Sequence, residues 1–172
     1  MEREELFAKS VSILVQAYQN DTLIAGDCAA CAVGNLIMGN NCDLKLVVKE
    51  KVNNWWTIYN WAVNGEQLHK SVKHQWMWKI SGIPQLFPEY DEVVAQQQID
   101  STGYTLAELQ RIEHAFEHCR PSTEDAMFER LEAVYNVLCS IHGGVDMTKA
   151  SEVFVKAPVI VEEKKEEVAL VA

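Results

Sequence analysis

Three stretches of this chain repeat apolar residues at intervals of three and four, and that period decides most of what the chain can fold into. Over Glu2 to Asn20 the stripe is Leu6, Phe7, Val11, Leu14, Val15 and Tyr18. After Thr105 it is Leu106, Leu109, Ile112 and Phe116. After Asp125 it is Met127, Leu131, Val134, Tyr135 and Leu138. A helix with such a stripe must bury it against another element. The boundaries agree with helices. Thr105-Leu106-Ala107-Glu108 is a capping box, in which the hydroxyl and the carboxylate each satisfy a free N–H. Pro121 stops the second stretch, Ser122 to Asp125 cap the third, and Gly143-Gly144 end it after His142. Shorter helices are expected from Asp27 and over Tyr90 to Gln98. The reading is mainly α: a single-domain helical bundle of four to five helices.

Asp27-Cys28-Ala29-Ala30-Cys31 holds the one Cys-x-x-Cys spacing. Asp27 is a good N-cap, because its carboxylate can accept from the first free helix N–H groups. Cys28 then falls in the first turn, with Cys31 on the same face and Gly39 at the helix end. Three uses of the pair compete. Small thiols fill tight helix contacts. Cys-x-x-Cys is half of a common zinc pattern. A thiol at a helix N-terminus can also be a redox group, although the strand that precedes a thioredoxin-like dithiol is missing here.

Residues 42 to 80 change character. Leu44, Leu46 and Val48 alternate with Lys45, Val47 and Lys49, as in a short strand. The stretch carrying Trp55, Trp56, Tyr59 and Trp61 reads as strand or helix, and Asn64-Gly65 is a turn. All five tryptophans, Trp55, Trp56, Trp61, Trp76 and Trp78, fall in this part of the chain. Between residues 45 and 79, six lysines against Glu50 and Glu66 give +4, which leaves −14 for the rest of a chain whose net charge is −10. The expectation is a small Trp-rich insert at about 42–80, a β-hairpin in one version, within a helical domain over 1–150. Its tryptophans could plug a satellite core, bind a protein partner or stack on bases.

The acidic balance argues against nucleic acid and anionic membranes as general partners. No stretch reaches the ~18 apolar residues of a membrane span. The acidic start Met1-Glu2-Arg3-Glu4-Glu5 is unlike a signal peptide, so the five cysteines are expected as reduced thiols in a cytoplasm. Residues 151–172 read as a charged C-terminal extension, flexible unless bound, with Glu162 to Glu167 as a solvated charge run.

Helical phase weighs the remaining candidates. His114 and His118 have the spacing of a metal pair, but they fall opposite the stripe of their helix and should face water. Cys119 and Cys139 fall at stripe edges and His142 near a stripe centre, where a histidine at a helix C-terminus is also favourable simply as a cation. A buried metal set would be drawn from Cys28, Cys31, Cys119, Cys139 and His142, with zinc as the ion. Glu108, Glu113, Glu117, Glu129 and Glu132 read as ordinary exposed helix positions. Phosphate loops, His-Glu-x-x-His, nucleophile elbows and EF-hand loops are missing from the sequence.

Cys28-Ala29-Ala30-Cys31-Ala32-Val33-Gly34-Asn35-Leu36, with Gly103-Tyr104-Thr105 to Glu113 and the closing stretch Leu131 to His142, resembles a small family of bacterial and phage proteins. That family shares a Cys-x-x-Cys-Ala-Val-Gly-Asn block and a Gly-Tyr-Ser/Thr helix start. The resemblance spans about half of the chain and implies a bacterial or phage-infected cytoplasm, or a virion, with no particular activity. Some relatives carry a name from the sodium-pumping NADH–quinone reductase. The plant-type iron–sulfur spacing would need two more nearby cysteines, and a Gly-rich dinucleotide loop is missing, so that chemistry is not expected here. Taken together, the sequence points to a non-enzymatic module that binds a macromolecule, a protein in a homo- or hetero-oligomer, through Trp55, Trp56, Trp61, Trp76 and Trp78. The alternatives are a small zinc-stabilised domain using Cys28 and Cys31, and a thiol redox factor.

Overall fold

A computed structural model describes residues 2–27, 30–40, 96–144 and 148–156 in full, and 44–51, 57–63, 66–68 and 92–95 as backbone. The described body is mainly α. In chain order it contains α1 (Arg3–Gln19), α2 (Ala32–Asn40), β1 (Leu44–Lys51), β2 (Thr57–Val63), β3 (Glu66–Leu68), α3 (Glu92–Asp100), α4 (Leu106–His118), α5 (Ala126–Ile141) and the short α6 (Ala150–Val153).

Helices α1, α2, α4 and α5 close one core. Leu14, Leu36, Ile37, Leu109, Ile112, Phe116, Leu131 and Leu138 are fully buried in it, with Ile99 from α3. The stripes read from the period supply most of these residues. The exception is Leu106, expected on the stripe but 38% exposed. It is the first residue of α4, one turn outside the layer where the helices meet.

Helix ends follow local chemistry. The Thr105 hydroxyl accepts from the Glu108 amide at 3.3 Å, and Glu108 accepts from the Thr105 amide at 2.8 Å. Asp125 accepts from the Phe128 amide at 2.9 Å to start α5. Gly143 and Gly144 leave α5 with φ of +82° and +73°, a conformation that costs glycine least. Gly39, expected at a helix end, lies inside α2 instead. A Cβ there would come within 2.8 Å of Ile13, so the missing side chain is what lets α1 and α2 approach.

The strands form one antiparallel sheet in the order β1-β2-β3, with a register shift between Leu46 and Val48. Trp61 lies on β2, with Leu46 of β1 and Leu68 of β3 as its backbone partners. Trp55, Trp56, Trp76 and Trp78 lie outside the described residues, as do Cys28 and Cys42. The described residues 148–156 reach into the stretch read as a C-terminal extension; they make the turn of α6, and Phe154 is buried edge-on against both Tyr18 and Tyr135. One aromatic thus docks this segment on α1 and α5.

Candidate functional site

Helix α2 does not begin directly after Asp27, as the sequence suggested. The Asp27 carbonyl accepts from the amides of Ala30 at 2.8 Å and Cys31 at 2.6 Å, closing a turn before the helix. Cys31 then takes the capping position. Its carbonyl accepts the first helical bond, from Asn35 at 3.0 Å. Its Sγ accepts from the Gly34 amide at 3.3 Å, where a Ser or Asp oxygen would commonly sit. The sulfur is therefore aimed at the positive end of a helix, which favours negative charge. Cys31 and the next two residues, Ala32 and Val33, have no solvent exposure.

Glu113 and Glu117, one turn apart on α4, face this cap. Ligand atoms of Cys31, Glu113 and Glu117 lie within 4.8 Å of one another. Glu113 corrects a sequence expectation: read as an exposed helix position, it is only 6% exposed. It neighbours Ile112 on the flank of the α4 stripe, and α2 covers that flank. Neither carboxylate oxygen completes a hydrogen bond among the described residues. Burial pushes its carboxyl up to about 7; the Cys31 thiol and the Val33 amide pull it down and the Glu117 charge pushes it up. Glu117 is better held. Both of its oxygens accept from the Gly26 amide, at 3.0 and 2.9 Å, which fixes the loop entering α2. Among the described residues the ion pairs are Arg3–Glu108 and Lys156–Asp21, and no cation pairs with Glu113 or Glu117.

The remaining candidates lie elsewhere. Cys119 is half-buried and Cys139 buried, and Cys139 neighbours Tyr135, whose hydroxyl it helps push up after burial. At the other end of α5, His142 Nε2 lies 3.1 Å from the Tyr104 hydroxyl, which donates to Ser10 at 2.9 Å. Burial lowers the imidazole, contrary to a simple helix-end cation. His114 and His118 are exposed, as expected, and stack at 4.3 Å. Among the described residues the ligand-type group that converges is Cys31 with Glu113 and Glu117, and it does not include Cys119, Cys139 or His142. Two of the other acidic candidates serve structure. Glu108 pairs with Arg3 at 2.6 Å, and Glu129 accepts from the amides of Ser122 and Thr123. The signal that could have found Glu113 is phase: a position directly beside a stripe residue is exposed only if no further helix packs on that side.

No helix among the described residues is long and apolar enough to cross a membrane. Comparison of the chain with protein-family models, with curated proteins and with solved structures finds no match.

Proposed function

We propose that this chain is a non-enzymatic binding or assembly module: a bundle of four to five helices that presents a Trp-rich hairpin insert to a protein partner or to a second copy of itself. The observation that carries the reading is the gathering of all five tryptophans between residues 55 and 78, in a segment of +4 within an acidic chain. Trp is the residue most enriched at energetic hot spots of interfaces. The helical body supports the reading by elimination. Its described large apolar side chains are buried or half-buried except for Ile24, Leu106 and Val155, which are scattered along the chain, so the body offers little fully exposed apolar surface of its own. Among its acidic groups Glu108 and Asp21 form ion pairs, and Asp125 and Glu129 hold the start of α5 and the turn before it. A bacterial or phage-infected cytoplasm, or a virion, is the setting that fits the resemblance.

The test uses intrinsic fluorescence, which here reports the segment alone because every Trp lies in it. Iodide and acrylamide should quench a large part of the emission at low protein concentration. Quenching that falls as concentration rises, with a matching rise in mass by sedimentation, identifies self-assembly. Blue-shifted emission that neither quencher reaches, in a monomer, would mean that the tryptophans form a private core and would end the proposal.

A further inference from the structure

We propose that Cys31, Glu113 and Glu117 bind a divalent cation of the zinc class, fastening the N-terminus of α2 to α4. The site goes beyond the partner-binding reading and does not depend on it. Its first support is geometry. Tetrahedral zinc, at about 2.3 Å from sulfur and about 2.1 Å from oxygen, sets its ligand atoms about 3.5 Å apart. The three atoms here already lie within 4.8 Å of one another. The second support is independent. Glu113 is more than nine-tenths buried and points into the cluster; neither oxygen completes a well-formed hydrogen bond among the described residues, although the Cys31 thiol and the Val33 amide lie near enough to act on it. A buried carboxylate left in that state is costly; it is relieved by taking up a proton, by pairing the charge or by coordinating a metal, and the geometry here offers the third. The third support is charge. Glu113 and Glu117 are one helical turn apart, where like charges repel, and both face a sulfur at a cap that favours its anion. No described Lys or Arg pairs with either carboxylate.

The chemistry of the donors selects the ion. A thiolate among the ligands favours zinc and similar borderline-soft ions over magnesium and calcium, which take oxygen alone. Cys31 is also the second cysteine of the Cys-x-x-Cys spacing from which zinc sites are commonly built. The Gly26 amide donates to both oxygens of Glu117 and so fixes its orientation, as outer groups orient metal ligands, and each oxygen keeps a further lone pair. The ion would join α2 to α4 through three protein ligands, with a fourth tetrahedral position left for water on the half-buried Glu117 side.

Cobalt(II) is the probe. The full-length, untagged chain, reduced and stripped by a chelator, is titrated with Co2+ and followed by absorption. The expected result is saturation at one ion per chain, a thiolate-to-cobalt charge-transfer band, intense visible bands of a tetrahedral ion, and displacement by zinc. Cys31→Ser should remove the charge-transfer band. Glu113→Gln and Glu117→Gln should each weaken binding by at least about 10-fold, the lower end of what losing a supporting group costs a metal site. Glu117 is only half-buried, so its variant should fold even where Cys31→Ser or Glu113→Gln does not; far-UV circular dichroism checks each one. A parent chain without the charge-transfer band overturns the proposal. So does a band whose affinity is unchanged in both Glu variants.

Discussion

Single side chains carry much of this fold, and their costs can be ordered. Phe116 and Leu131 have no solvent exposure, so truncation to alanine should cost about 3–5 kcal/mol for Phe116 and about 2–5 kcal/mol for Leu131, read as a lower urea midpoint at unchanged slope. Gly39→Ala should be destabilising although alanine is the better helix former. Its methyl would press on the branched face of Ile13, 2.8 Å away, and overpacking of this kind costs about 1–3 kcal/mol. A double variant with Ile13→Ala should recover part of that loss; additivity of the two changes would show that they do not touch. Glu113 and Gly39 are also where the sequence misled. Both were read from their own helix alone, as an exposed position and as a terminator. Both are set by a neighbouring helix, which no periodicity within a single segment contains.

At the scale of elements, the chain was most readable where local chemistry acts alone. The capping box at Thr105, the Asp125 cap and the Gly143-Gly144 exit sit where residue types and spacing place them. Thr105→Ala should cost about 1 kcal/mol. Glu129 gives a pH test. Hydrogen bonds from Thr123 and Ser122 hold its carboxyl down at about 2, against an ordinary value of 4.5. A depressed carboxyl adds stability above its unfolded value and loses it as pH falls through the folded one. The Ser122–Glu129 turn should therefore stay intact at pH 5 and loosen only between about 4.5 and about 2, seen as a Glu129 carboxyl shift by NMR. Titration near 4.5 would show that the turn is not formed in solution. The start of α2 was less readable. Asp27 looked like the cap, yet a backbone turn intervenes and a cysteine takes that place. Sulfur is a weak acceptor, so a rule built on Ser, Thr, Asp and Asn passes over it.

For the whole molecule, the mainly α class and the three principal helices follow from apolar period alone, because a stripe with no partner cannot stay in water. The meeting of α2 with α4 does not follow from it. Residues 31, 113 and 117 are brought together by tertiary packing, and the metal set drawn from Cys28, Cys31, Cys119, Cys139 and His142 shares only Cys31 with the group that converges. A cation at this seam would give the change Glu113→Gln an effect of definite sign. Without a metal, Glu113 is a buried carboxyl raised to about 7 by desolvation, and a neutral isostere should relieve the fold. With a metal, Glu113 is a ligand, and the same change should harm it. The deciding measurement is the thermal midpoint of the parent chain and of Glu113→Gln at pH 7.5, each with and without zinc. Binding at 1,000 times Kd adds about 4 kcal/mol, which for a chain of this size is about 10 °C. With zinc the parent should rise by that order, whereas the variant, level with the parent or above it in the metal-free state, should barely respond and should end below the zinc-bound parent. A parent midpoint that zinc leaves unchanged, or an equal zinc-dependent rise in Glu113→Gln, would contradict a cation at this seam.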